Sequence, residues 1–238
     1  MIRATRSVVA GFSRKPLVPV LLLVILAGIW GFIEIAREIR EIETRRFDEA
    51  VLLALRVPGD TSDPIGSPRV EEMARDLTAL GGFTLLTGVT LTACGVAIFA
   101  GRSRLAGLGL LSVIAGSLTM KLLKQGFDRP RPGLVEHGTL VTAASFPSGH
   151  TMMAALVYLT LGILLARTQA KKRVRVFIIF ISVLITLLVG VSRVYLGVHW
   201  PTDVFGGWAL GGTWAVLFWL VAMKVDPPGK VVGRHGQP

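Results

Sequence analysis

The sequence predicts an all-α protein, a bundle of six transmembrane helices, on three observations. Hydrophobic residues make up 52% of its 238 positions and charged residues only 17%, against roughly 25% charged in an average soluble domain. The charges leave six uninterrupted stretches without Asp, Glu, Lys or Arg, at residues 17–33, 77–101, 105–120, 151–166, 176–192 and 204–223. A hydrocarbon core of ~30 Å is crossed by about 17–25 helical residues, and flanking side chains can snorkel to extend the shorter runs. A disordered or solvent-facing protein is excluded. Six spans with short connections leave no room for a separate soluble domain, so residues 1–238 read as one membrane-embedded domain.

The first span follows Arg14 and Lys15, a basic start that would also suit a cleaved signal peptide. The apolar run ends in Trp30, Phe32 and Glu34 with no small-x-small cleavage site, so an uncleaved anchor is expected. Between Glu34 and Asp76, Phe47, Val51, Leu52 and Leu55 fall on one helical face. A short amphipathic helix lying on the membrane surface is expected there. Residues 58–68, rich in Pro, Gly, Ser and Asp, read as a turn-forming loop before the second span. In that span the lone cysteine, Cys94, reads as a small core residue and excludes any disulfide within the chain. Gly207 and Gly211 form a small-xxx-small pair in the last span, read as a helix-packing device.

The net charge of +11 could suggest nucleic acid, but its placement points to membrane orientation instead. Cations Arg3, Arg6, Arg14 and Lys15 precede span one; Arg102 and Arg104 fill the second connection; Arg167, Lys171, Lys172, Arg173 and Arg175 fill the fourth; Lys224, Lys230 and Arg234 follow span six. These segments hold 14 cations against one acid, Asp226, whereas residues 34–76 carry seven Arg against eleven acids. By the positive-inside rule both termini are cytoplasmic and odd-numbered connections face outward.

Positive charge in the third and fifth connections therefore opposes the orientation signal. Lys124, Arg131 and Arg193 at one membrane face want an anion, and phosphate suits them: Arg offers a planar fork, Lys a point charge. Lys121 and Arg129 read as interfacial cations snorkelling to headgroups. In Pro147-Ser148-Gly149-His150, Pro147 stops the loop, Ser148 can cap the fourth helix and Gly149 lets an anion approach its free N–H groups. His150 places a proton donor beside that anion site. His199 and Asp203, four apart with Pro201 between them at a first-turn position, can bring a carboxylate to one imidazole nitrogen and leave the other free to attack. Two His and one Asp also make an iron or zinc set, but three neighbouring cations would repel a divalent ion. His137 and His235 lack such company and read as solvated loop residues.

Lys124-x6-Arg131-Pro132, Pro147-Ser148-Gly149-His150 and Ser192-Arg193-x5-His199-x3-Asp203 resemble the three-part signature of the type 2 phosphatidic acid phosphatase superfamily of integral-membrane lipid phosphatases, with every signature position occupied in order. The match spans residues 124–203. The resemblance implies a phosphatase with no metal or cofactor. His199 would attack phosphorus to give a phosphohistidine, oriented and charge-stabilised by Asp203. Lys124, Arg131 and Arg193, with Ser148 and the Gly149 N–H, would hold the phosphoryl oxygens, and His150 would protonate the leaving group. Undecaprenyl pyrophosphate, phosphatidylglycerophosphate and phosphatidic acid all suit an outward-facing site in a bacterial-type inner membrane. The partners expected are thus the bilayer and a lipid phosphate, with the amphipathic segment 47–55 resting in the outer leaflet to help admit it. A phosphotransferase on the same site, a haloperoxidase-like use of the signature and a non-enzymatic anion transporter are the alternatives.

Overall fold

The structure, a computed structural model, describes residues 17–41, 44–133 and 144–225. His137, His235, and the cations before residue 16 and after residue 226 that enter the orientation argument lie outside them. The elements run α1 (Leu17–Arg40), α2 (Arg45–Ala54), β1 (Arg56–Val57), β2 (Asp60–Pro64), α3 (Pro68–Ala79), α4 (Phe83–Phe99), α5 (Ser103–Phe127), α6 (Gly149–Thr168), α7 (Lys172–Tyr195) and α8 (Pro201–Val225). Five helices, α1, α5, α6, α7 and α8, are each long and apolar enough to cross a membrane, and α3 with α4 forms a sixth candidate span bent by 45°.

The 77–101 stretch is therefore not one continuous helix. It breaks at Leu80-Gly81-Gly82, where two consecutive glycines carry little helical preference. A side chain at Gly81 would sit 2.6 Å from Val189 Cγ1 and 3.1 Å from the His150 carbonyl oxygen, so the break lets backbone press against α6 and α7. The Leu80 carbonyl accepts a hydrogen bond from Tyr158 Oη at 2.8 Å. The loop expected at 58–68 contains most of a small antiparallel hairpin, β1 with β2, turning at Gly59 with φ of +92°, a left-handed conformation that glycine adopts freely. Arg56 ties the hairpin to the bundle by donating to the Tyr195 carbonyl at the end of α7, 2.9 Å away.

α6 is the innermost helix, packed against α7, α8 and, more lightly, α5, and its Met152, Ala154 and Leu156 are fully buried. Gly207 and Gly211 bring α8 close to it: a Cβ on Gly207 would stand 3.0 Å from the Ser148 carbonyl oxygen, and one on Gly211 2.6 Å from Ala155 Cβ. The pair is a packing device, as its spacing suggested. α1 packs on α8. Leu23, Trp30, Phe83 and Phe99 point outward and are exposed, the pattern of an integral membrane protein whose outer surface meets lipid rather than water.

The amphipathic helix is present as α2, and its apolar face is covered by protein at Leu52 and in part at Val51 and Leu55, while Phe47 stays exposed. Leu52 is fully buried with Val194 and Val204, beside Val51, Leu55, Trp200 and Trp208, and Phe47 stacks on Phe205 at 6.3 Å. Through Leu52 the stripe seals the ends of α7 and α8. At that same end of the bundle α5 finishes, α6 starts, α7 finishes and α8 starts, so the three sequence motifs converge there.

Candidate active site

Lys124, Arg131, Gly149, His150, Arg193 and His199 line one cavity of about 900 Å³, which continues between α4, α5 and α6 along Phe83, Leu86, Val113, Met120 and Met153. A polar mouth thus opens onto an apolar channel. The cations are aimed by backbone and hydroxyl acceptors around them. Lys124, in the last turn of α5, donates to the Ala144 carbonyl at 2.6 Å. Arg131 donates to the Val198 carbonyl at 2.6 Å and its Nη1 lies 3.3 Å from His199 Nε2. Burial pulls its guanidinium below the ordinary value, with Asp203 opposing that shift. Arg193, in the last turn of α7, donates to Thr78 Oγ1 at 3.0 Å, while its buried Nε has no protein partner among the described residues.

Ser148 stands at the N-cap position of α6, yet its hydroxyl does not cap the helix backbone. It is fully buried and pairs with Thr151 Oγ1 at 2.9 Å, so the expected side-chain cap is not made. Its amide donates instead to the Asp203 carbonyl at 3.0 Å, joining the starts of α6 and α8. The first hydrogen bond within α6 runs from Met152 N to Ser148 O. The amides of Gly149, His150 and Thr151 therefore precede it, at the end of the helix that favours anions. Gly149 lacks a side chain for a second reason, since a Cβ there would lie 2.6 Å from Met120 Sδ.

His199 and Asp203 sit together as their spacing implied, with Pro201 as the first residue of α8. His199 Nδ1 lies 3.3 Å from Asp203 Oδ2. A guanidinium can only donate and a carboxylate only accept. Nε2, facing Arg131, is therefore the bare nitrogen, and Nδ1, facing Asp203, carries the proton. Burial draws the His199 pKa down to about 4, with the hydrogen bond and charge of Asp203 working against that fall. The imidazole is neutral at pH 7, with its Nε2 lone pair toward Arg131 in the wall of the cavity.

A model of the PAP2 superfamily matches residues 105–226, more than half of the chain. The chain belongs to the PAP2 superfamily. Phosphatidylglycerophosphatase B of Bacillus subtilis is 38% identical over 163 residues, covering 66% of this chain and 76% of that protein. The crystal structure of a transmembrane PAP2-type phosphatidylglycerolphosphate phosphatase from Bacillus subtilis superposes with a TM-score of 0.77 at 29% identity, over 85% of this chain and 98% of that one. An undecaprenyl-diphosphatase of Sulfolobus acidocaldarius is 41% identical over 91 residues, covering 38% of this chain and 39% of its own length.

Several residues of this PAP2 protein join the site without belonging to the three motifs. Ser145 Oγ donates to Asp203 Oδ2, which also receives the Trp200 amide at 2.9 Å. Arg129, read from the sequence as an interfacial cation, is turned inward: it donates to Asp203 Oδ1 at 2.6 Å, Thr202 Oγ1 at 2.8 Å and Asp48 Oδ2 at 2.7 Å. Thr78 and Gly81, at the break between α3 and α4, touch Arg193 and His150. Two signals for these were present in the sequence: the Gly81-Gly82 pair inside an apolar run, and a carboxylate, Asp48, on the same helical face as Val51, Leu52 and Leu55.

Proposed function

We propose that this protein hydrolyses a lipid phosphate or lipid pyrophosphate without a metal ion, through a phosphohistidine formed on His199. The observation that carries the reading is a neutral, buried imidazole whose unprotonated Nε2 lies 3.3 Å from Arg131, in the wall of a cavity that Lys124, Arg131 and Arg193 also line. Nε2 attacks phosphorus while the bond to the lipid oxygen breaks, and His150 gives that oxygen its proton. Asp203 stabilises the charge the imidazole acquires. The three cations and the Gly149 amide hold the phosphoryl oxygens, where a group of about −2 charge and its spreading transition state need them. Ser148 contributes by its place at the helix start. In the second step His150 takes a proton from water, the water attacks the phosphohistidine, and inorganic phosphate leaves with His199 restored.

The apolar channel below the mouth fits a lipid tail. The named activities of the relatives, on phosphatidylglycerophosphate and undecaprenyl diphosphate, support the same substrate class. Asp203 has both oxygens engaged by Arg129, Ser145, Trp200 and His199, a donor set that serves imidazole rather than a divalent ion. The charge asymmetry of the connections supports a single membrane domain with both termini cytoplasmic and this end at the outer face of a bacterial-type inner membrane.

The test is phosphate release from a panel of lipid phosphates by purified protein in detergent, with and without EDTA, together with alkaline-quench trapping of labelled phosphoenzyme. Release should survive chelation, be inhibited by vanadate, and leave a label on wild-type protein that His199→Ala lacks. Activity lost on chelation and restored by zinc or magnesium, or an active His199→Ala, would overturn the reading.

A further inference from the structure

Asp48 lies on α2, far in sequence from the motifs, yet it is fully buried and makes three polar contacts at the site. Its Oδ1 accepts the Thr202 amide at 3.0 Å, and its Oδ2 accepts Thr202 Oγ1 at 2.7 Å and Arg129 Nη2 at 2.7 Å; a closing ion pair joins the same Arg129 to Asp203. A carboxylate at the N-terminus of α8 caps that helix and complements its dipole. A guanidinium forked between two carboxylates fixes the orientation of both.

We infer that Asp48 and Arg129 are positioning residues for phosphoryl transfer: α2, through Asp48, holds Arg129 against Asp203 Oδ1, so that Oδ2 faces His199 Nδ1 and keeps its negative charge for the imidazole. The inference rests on His199 being the nucleophile. Asp48 neutralises Arg129, which would otherwise offset the charge of Asp203 when the imidazole turns positive. The apolar stripe of α2 supplies the docking energy, and Asp48 supplies the register.

Asp48→Asn keeps the shape and removes the charge. Measured per vanadate-binding site, its kcat should fall about 10- to 100-fold, the range that outer partners of a ligating histidine command at metal centres. KM and vanadate affinity should stay within about threefold, because Lys124, Arg131 and Arg193 are untouched. The pH profile separates positioning from mere stability. His199 is faced by Asp203 on α8, Arg131 in the loop after α5, Arg193 on α7, Lys124 on α5 and His150 on α6. Removing one cation, in Arg129→Gln, should move the acid limb of kcat upward by about one to two units. Removing one anion, in Asp48→Asn, should not move it upward, and the double variant should fall between. The substrate is the same throughout, so its own ionisation cancels.

If Asp48→Asn does not accumulate as a vanadate-binding protein, Arg129→Lys carries the test: it keeps the charge but loses the fork, and should lower kcat per site without moving the limb. Unchanged kcat per site in Asp48→Asn, or acid limbs that move together in Asp48→Asn and Arg129→Gln, overturns the inference. Failure to trap phosphate on wild-type His199 instead overturns the nucleophile reading on which it rests.

Discussion

Replacing Gly211 with alanine tests whether the contact between α6 and α8 sets the geometry of the site. The added Cβ would lie 2.6 Å from Ala155 Cβ and 3.1 Å from the Met152 carbonyl carbon, where ordinary contact begins near 3.4 Å. The Met152 carbonyl oxygen lies closer still, so the helices must separate locally by about 1 Å, and the neighbours on α6 are backbone and an alanine, with no flexible side chain to swing away. Overpacking of this kind costs about 1–3 kcal/mol, or roughly 2–12 °C in Tm for a chain of this size. The catalytic cost should be larger than that suggests. α6 carries His150 in its first turn and α8 carries Asp203, and a misplacement of about 1 Å lowers turnover on the order of 10²-fold. The assay is kcat on a lipid phosphate in detergent beside thermal unfolding followed by tryptophan fluorescence. Gly212→Ala is the internal control: its Cβ meets nothing within 4 Å, and alanine favours a helix over glycine by up to ~1 kcal/mol. If Gly211→Ala matches Gly212→Ala in both kcat and Tm, the close approach does not control the site.

The two histidines should separate by leaving group. His199→Ala should be inactive on every substrate, whereas His150→Ala should give a first-turnover burst of phenol from an aryl phosphate and stay nearly silent on the lipid, general acid catalysis being worth about 10²–10⁴-fold; equal failure of both on the aryl substrate refutes the assignment. The depressed His199 pKa of about 4 makes a stability prediction. Above pH 6.5 both folded and unfolded forms are neutral and the full stability is present. As pH falls from about 6.5 toward 4 the unfolded chain takes a proton that the folded one refuses, costing on the order of 3 kcal/mol. His199→Gln should therefore show a shallower loss of Tm over that window, and parallel curves would contradict the shift. For orientation, with Cys94→Ala as background, Ser62→Cys should react with an impermeant thiol reagent in intact cells and Ala170→Cys should not; the reverse pattern inverts the topology.

The parts of the site legible in the sequence are those whose chemistry is local. His199 and Asp203 meet because the chain turns into α8 at Pro201, with Asp203 in the first turn reaching back to the Trp200 amide and to His199, and the helix start at Gly149 is written in the tetrapeptide itself. Arg129 was not legible, because its partners are 74 and 81 residues away and nothing in its immediate neighbours distinguishes it from Arg131. Spacing of apolar residues specifies a face but not what covers it: Leu52 of α2 packs on α7 and α8, which the stripe alone does not reveal. A charge-free run likewise reports length and polarity without direction, and the bend at Gly81 went unseen although the glycine pair marked it. Ser148 was read from its residue type, and serine oxygen does often cap helices; here Thr151, three residues on, offers a hydroxyl partner within the same turn.

The first and third motifs are better understood as one unit than as two. Arg129 grips Thr202 and Asp203; the Pro130 carbonyl accepts Trp200 Nε1 at 3.0 Å; Arg131 grips the Val198 carbonyl and faces His199. Rising order in one segment meets falling order in the other, so residues 129–131 run antiparallel along residues 198–203 and bracket the His199–Asp203 turn from both ends. One arginine is spent internally between Asp203 and Asp48, and the other faces the cavity. This division is how four cations can gather near two buried carboxylates and, on the proposed mechanism, still leave three, Lys124, Arg131 and Arg193, for a phosphate: the fourth, Arg129, is offset by Asp48, and Asp203 keeps its charge for His199. On the proposed mechanism, the same three-residue segment that clamps the anion also orients the imidazole that attacks it, which ties the spacing of the motif to the geometry of the transfer.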